Sequence, residues 1–573
     1  MQITKKLLVA LIVVLLNLGI SGCSPSDNSN SNNTPTSHDS NDTGNNNGGG
    51  DNGNDDKESN DNNKTSSISY KGLQFYYDNM DISSYQLEPM TNDDFNALSA
   101  KQKLQVANKL LESLFWGYPL NKLKEKINGG IFISSIYNGL QTETTDKAWL
   151  ENYITNPDYF KQYKSQWYQP QVIKILTRFY AAKDLDKYYL NNWIAYILTQ
   201  TILFSPAYEL SSTHTPDISQ TYNHLVLMLQ NGSGMRYITY VHMMSQENWR
   251  RFRSPEDNGR EMLEIYLQDG KDSDVPLAGK ALQNWRLNPD SDTLEVGLNQ
   301  NTEPLNLFDT TVYTGEDFYR ELVKSKGFAK GVTTRLVDFF FPNYSASAKS
   351  SIVDKIASSK PETWQDILLQ IVLSKEYLLH DTRALSGEET FYSIAKKMHY
   401  INRRQTFYYL KLALERMHQA SMKYKLGKLN RVPIDAISFA WYHKYLRENI
   451  LLKERSETTT DRNSWQYNGW SKDFIANDKF DYDENNATKT LKSFVNYLFD
   501  SIISRDATNE EMNFFISHMM DGENFKPIYD MVVVKDDASS QTKEREATKN
   551  RVAIIILDYL SRLEDAYMMK EVK

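Results

Sequence analysis

The chain has 573 residues, 12 % of them aromatic, a formal net charge of −8 and one cysteine. That charge excludes a general nucleic-acid binder, which needs a basic excess. A lone cysteine excludes a disulfide framework and a multi-thiolate zinc site, so stability must come from apolar burial.

Lys5 and Lys6 precede an apolar run from Leu7 to Ile20. This run is shorter than the roughly 20 residues a membrane span needs, so residues 1–22 are expected to be a signal peptide. Ile20-Ser21-Gly22-Cys23 closes it with the pattern of a lipoprotein signal. Cleavage before Cys23 is expected, with lipid on its sulfur and an acyl chain such as palmitate on its amino group. Each buried methylene contributes about 0.8 kcal/mol, enough in sum for stable anchoring. Ser24 next to Cys23 is similar to the outer-membrane sorting pattern of enteric lipoproteins. The expected location is therefore the bacterial cell envelope, outer membrane rather than inner, with the body periplasmic or surface-facing.

Ser24 to Ser67 contains no aliphatic or aromatic side chain, so nothing offsets the entropy of ordering it. Residues 23–67 are expected to be a disordered tether with a root-mean-square reach of roughly 35 to 40 Å. Asp51 to Asp56 within it lacks the glycine and closing glutamate of a calcium loop. Signal and tether carry +2 and −6, which leaves a nearly balanced body of about −4.

The body reads as mainly α, a large multi-helix globular assembly. Ser99 with Gln102 is a capping pattern, and Leu104, Ala107, Leu111, Leu114 and Phe115 follow at helical spacing. Comparable stripes occupy 172–180, 193–204, 224–229, 352–356, 364–379, 407–417, 434–446, 491–503, 510–520 and 551–568. Strand signals are rare, and Val532-Val533-Val534 is the strongest of them. The polar stretches 454–488 and 535–549 lack periodicity and are expected to be loops. A helical body at 68–385 and a carboxy-terminal helical part at 386–573, continuous with it, follow.

The central segment is the most informative. Ser254-Pro255-Glu256-Asp257 is a helix start, Asp269-Gly270 is a stop, and a second helix is expected from Ser273-Asp274 with Ala278, Ala281, Leu282 and Trp285 on one face. Arg260 and Glu264 are four apart and can meet, whereas Glu261 projects about 100° away. Two readings of this hairpin stand. Arg260, Glu261, Glu264 and Asp274, with Trp285 and Arg286 beside them, form a buried ion-pair network joining two helices. Alternatively Arg260 positions an anionic substrate and Glu261 or Glu264 is a general base. Upstream, Trp249-Arg250-Arg251-Phe252-Arg253 near Arg236 offers either ordinary packing or an aromatic and cationic surface for sugars.

Glu256, Arg260, Glu261, Glu264 and Ile265, then Asp274-Val275, Lys280-Ala281-Leu282 and Trp285-Arg286, resemble the hallmark of a bacterial family, the one catalogued as domain of unknown function 1800. Leu110-Leu111 through Phe115, Gly117 and Pro119 is similar to the family's amino-terminal segment. Leu373-Ser374-Lys375-Glu376-Tyr377 is similar to its closing Ser-Pro-Glu-Phe. The chain departs at Pro255, Asp257, Gly259, Lys280 and Gln283-Asn284. The resemblance covers roughly 103–379 and implies a helical, typically exported protein of no established activity. Its members are often encoded beside a sulfatase-like exported family, which implies extracellular polymers as surroundings.

Motif searches narrow the chemistry. Gly232-Ser233-Gly234 has the wrong spacing for a serine-hydrolase elbow and reads as a turn. The nine histidines occur singly; His242, His399 and His443 are the candidates for convergence in space. No phosphate loop or dinucleotide fingerprint is present, so no nucleotide partner and no cofactor is expected. Asp478, Asp481 and Asp483 resemble half a calcium loop, but Lys492 stands where glutamate should close it, so no metal site is expected. The sequence thus leaves a lipid-anchored binding or scaffold module for an envelope partner or glycan, with a sulfatase-like exported protein among the partners expected. The alternative is a polysaccharide-directed hydrolase using the hairpin carboxylates, and the weight lies with the module.

Overall fold

The computed structural model describes residues 65–70, 73–78, 87–143, 185–201, 218–267, 270–291, 293–397, 404–417, 436–445, 487–520 and 555–573, with Ile175, Gln419 and Ala553 as single positions. Cys23, the signal peptide, the Asp51–Asp56 run, Val532–Val534, His399, Asp478–Asp483 and the loop at 535–549 lie outside these residues. So do the tether up to Lys64, most of 172–180 and nearly all of 454–488.

The described chain is mainly helical, as its patterning predicts. In chain order the helices used below are α1 Asn92–Ala97, α2 Ala100–Phe115, α3 Lys187–Thr201, α4 Met235–Met243, α5 Gln246–Arg251, α6 Pro255–Tyr266, α7 Val275–Ala281, α8 Gly315–Lys324, α9 Lys326–Phe340, α10 Trp364–Val372, α11 Gly387–Lys397, α12 Ala487–Ile503 and α13 Asn509–Met520. Local chemistry sets many of their starts. Thr91, Ser99, Thr314 and Thr363 each cap a helix by accepting from the third backbone amide, whose own side chain accepts from the cap's amide in return. Ser254 caps α6 by accepting from the Asp257 amide, with Pro255 in the first turn, as its sequence predicts.

A continuous apolar core links these helices. α6 and α7 pack on each other and on α8, and α6 packs on α9; α9 in turn meets α10 and α3. α2 and α12 both pack on α11. Leu104, Ala107, Leu111, Leu114 and Phe115, the stripe predicted for α2, are all buried.

Among the described residues, four two-stranded antiparallel ribbons punctuate the helices. β1 Thr65–Tyr70 pairs with β2 Leu73–Asp78, so the last three tether positions by composition, Thr65 to Ser67, enter a strand. The alternation of Ile68, Tyr70, Phe75 and Tyr77 with polar residues supplies the two-residue period. β3 Trp285–Leu287 pairs with β4 Leu294–Val296, and β5 Leu305–Leu307 with β6 Thr310–Val312. The helical reading therefore needs correction at two points. α7 ends at Ala281, so Trp285 reaches the core from a strand. The stripe at 551–568 breaks after residue 560 and ends in β8 Met568–Met569, which pairs with β7 Arg383–Ala384. The stripe at 364–379 also divides, into α10 and a wide π turn at Glu376–His380. The β7–β8 pairing and the packing of α2 on α11 both cross the 385/386 boundary.

Among the described residues, no helix is long and apolar enough to cross a membrane.

Candidate functional site

The hairpin forms, but its charged residues do not form a buried network. Arg260 is 49 % exposed and pairs at 2.6 Å with Asp257, 38 % exposed, one turn earlier on the same helix. Asp257 raises the Arg260 guanidinium pKa above its ordinary value through that bond. Glu264 is exposed, Glu261 is half-buried, and Asp274 closes a short 3-10 turn before α7. Arg286 is 76 % exposed and pairs with Glu295 across the β3–β4 ribbon. The expectation of a buried Arg-Glu-Glu-Asp set is overturned because the helices meet through other residues.

Those residues are small. A Cβ built on Gly259 would lie 2.7 Å from the Ala278 Cβ, and one on Gly279 would lie 3.2 Å from the Glu256 Cα. α6 and α7 approach too closely for side chains between them, so the charges are driven outward. Gly259 is thus required by contact.

Trp285 is 4 % exposed and stacks on Trp249 at 5.8 Å, with the Tyr319 ring edge-on at 5.6 Å. A buried chain of hydrogen bonds holds the group: the Trp249 indole donates to the Tyr319 hydroxyl at 3.1 Å, which donates to Asn258 Oδ1 at 2.8 Å. The Trp249–Arg253 segment follows the packing reading. Trp249, Arg250, Arg251 and Phe252 are all buried, and Arg250 pairs with Glu247. Arg236 donates to the Val323 carbonyl and lies over the Phe328 ring.

His242 is buried on α4, and its imidazole pKa is pushed down to about 3 by burial and then by Arg251. His443 is also buried and bonds the Tyr567 hydroxyl at 3.0 Å. Among the described residues, no three His, Cys, Asp or Glu side chains gather in a way that could hold a metal ion. Gly232 has φ +73°, as the turn reading of Gly232-Ser233-Gly234 requires.

The richest buried chemistry lies elsewhere, between α2, the π turn and the β7–β8 ribbon. Arg383 is buried and grips Glu389 through two bonds of 2.9 and 3.0 Å. It also donates to the Tyr377 hydroxyl at 3.1 Å, and that hydroxyl meets Ser113 Oγ at 2.5 Å. Burial pushes the Arg383 pKa down, but Glu389, Tyr377 and Asp381 outweigh it and hold the guanidinium above its ordinary value. Glu389 has a second task, because its carboxylate accepts from the Ser386 amide while Ser386 Oγ accepts from the Glu389 amide. Lys397 pairs with Glu112 and donates to the Ile502 carbonyl at 3.0 Å. Lys396, also buried, donates to the Phe115 carbonyl at 2.7 Å, and burial pushes its amine pKa well down.

This network backs onto a cavity of about 370 Å³. α2 contributes Lys109 and Glu112, the end of α12 leads into Ser504 and Arg505, and residues 564–573 supply the facing wall. Glu261, Glu264 and Asp274 do not line it. Lys109 is only 4 % exposed, and its amine pKa is pushed down to about 8 by burial, with Asp381 opposing.

The sequence did hold a signal for part of this face of α2. Val106 and Leu110 widen the arc of Leu104, Ala107 and Leu111 until Ser113 stands at its edge, whereas Lys109 lies beyond it and is buried by its tertiary neighbours alone. Ser386 and Glu389 also have capping-box spacing ahead of an apolar run. Comparison with protein-family models, curated proteins and solved structures finds no match.

Proposed function

We propose that the protein is a lipid-anchored binding or scaffold module of the bacterial cell envelope, tethered through Cys23, preferentially in the outer membrane, and directed at an envelope partner or glycan. We also propose membership of the family that the hairpin resembles. Supporting that membership, the resembling segments share one core: Ser113 on α2 meets Tyr377 of the closing segment, whose ring packs edge-on against Phe340 of α9, the helix under the hairpin.

One observation carries the preference for binding over hydrolysis. The hairpin carboxylates lie apart from the cavity, while the cavity is assembled from four distant chain segments beside a buried hydrogen-bonded network. A recess of this size is ordinary for a small-molecule seat. The long polar segment before the body gives such a module reach without giving it chemistry.

Two measurements test the reading. Intact-mass analysis of the mature protein from native membranes should show a diacylglyceryl and acyl mass on an amino-terminal Cys23. Affinity capture of the lipidated protein from its own envelope should then retain glycan or a defined protein partner. An unmodified thiol on a soluble product removes the anchor, and capture indistinguishable from that of an unrelated lipoprotein removes the binding role.

A further inference from the structure

The carboxylates of the cavity wall all have cationic partners. Glu112 pairs with Lys397; Asp565 lies 3.3 Å from Lys570 and 3.6 Å from Arg505. Glu564 lies 3.7 Å from Lys570, and Glu571 lies 3.9 Å from Lys573 and 3.8 Å from His380. Arg505 is further held by a fork to Glu511 at 2.8 and 2.9 Å.

Lys109 differs. Its Nζ donates to two main-chain carbonyls, Asp381 at 2.5 Å and Lys570 at 3.3 Å, and among the described residues no carboxylate lies within ion-pair distance of it. The Tyr377 ring lies 5.8 Å away. The charges that face it are Asp381, Glu571 and Glu112, which favour the ammonium, and Arg383, which opposes it. Buried Asp381, with Glu571 and Glu112, offsets part of its charge, but an amine at a cavity wall with carbonyls alone for acceptors has no directly paired anion.

We propose that this cavity seats a small carboxylate-bearing ligand of the sugar-acid class, its carboxylate paired with Lys109. This rests on the binding-module reading for the ligand's origin and names its chemistry. One cation without a direct ion pair suits one negative charge; a phosphate dianion would add repulsion against Glu112 and Glu571. The rest of the wall suits hydroxyls and a ring: Gln105 and Ser504 are polar, while Met568 and Met569 are apolar and adaptable.

Protonation follows from the same geometry. Burial lowers the Lys109 pKa to about 8, and a bound carboxylate opposes that shift. Binding above this pH therefore takes up a proton, and affinity falls as pH rises through it.

Calorimetry on the full mature protein in detergent provides the test, with sodium D-glucuronate as probe against D-glucose and inorganic phosphate. At about pH 8.5, in two buffers of different ionisation enthalpy, glucuronate should bind with a buffer-dependent heat that reports proton uptake. Glucose and phosphate should each bind at least about tenfold more weakly, the loss expected for one charge-assisted bond. Lys109→Met should abolish glucuronate binding, and Lys324→Met, on α8 and outside the cavity lining, should retain it. Buffer-independent heat, absence of glucuronate binding, equal binding of glucose or phosphate, or binding retained by Lys109→Met each overturns the proposal. Should Lys109→Met fail to fold, the buffer dependence of the unsubstituted protein decides alone. Failure here with envelope capture intact removes the cavity's role but leaves the module; failure of capture removes the module itself.

Discussion

Arg383 and Glu389 face each other out of water, joined by two bonds of 2.9 and 3.0 Å, six residues apart in a segment that turns from strand into helix. Glu389 caps the helix that begins there while neutralising the guanidinium, so one carboxylate fixes both the start of α11 and the place of β7. The β7–β8 pairing then holds residues 568–569 against Arg383 and Ala384, next to the cavity.

Removing one partner leaves the other charged and buried. Arg383→Ala is expected to cost about 3 to 5 kcal/mol in equilibrium urea unfolding. The Arg383→Met, Glu389→Leu pair should recover much of that, because neither charge then remains, although the cap is lost. A single variant within about 1 kcal/mol of the parent would show that the pair is hydrated and the argument mistaken.

Gly259→Ala offers a sign test. At an exposed helix position this change adds roughly 1 kcal/mol of stability. Here the new methyl meets the Ala278 Cβ at 2.7 Å, so a loss of about 1 to 3 kcal/mol is expected instead. Adding Ala278→Gly should return part of it. A stabilised Gly259→Ala would mean that α6 and α7 are further apart.

Local rules made much of the fold legible. Ser99 with Gln102 and Ser254 with Pro255 marked their helices because capping depends on residues three apart. The β5–β6 ribbon escaped because its two-residue turn uses Phe308 and Asp309, both at positive φ, where Asn-Gly is the usual signal. Phe308 is held there partly by its ring lying 5.8 Å from that of Phe318 on α8, a contact no local pattern announces. The site was harder for the same reason. Charges at Arg260 and Glu264 stood out in the sequence but face water, whereas the setting of Lys109 depends on Lys570, just after β8, which follows it by more than four hundred residues.

The outward placement of the hairpin charges gives a contrast. Arg260→Ala should leave the midpoint of thermal unfolding unchanged within scatter, since Asp257 remains hydrated without it. Trp285→Ala, which empties the space between Trp249 and Tyr319, is expected to cost about 3 to 5 kcal/mol. If Arg260→Ala instead lowers the midpoint as much as Trp285→Ala does, the hairpin charges are joined in a way that these contacts do not contain.

His242 sets an acid-side slope. Its folded pKa of about 3 lies below the ordinary imidazole value of 6.5, so between these values the unfolded chain binds the extra proton. Stability therefore falls as pH falls below 6.5, and the group contributes no further slope once pH drops below its folded value. For one such imidazole the loss between pH 6.5 and 5 is on the order of 1.5 kcal/mol. His242→Gln should lack this component, so urea unfolding of parent and variant across that interval should converge by about this amount as pH falls. Carboxylates titrate mostly below it and are shared by both proteins, so they cancel in the difference. Parallel curves would mean that the imidazole is protonated in the native core, with an acceptor strong enough to outweigh both its burial and Arg251.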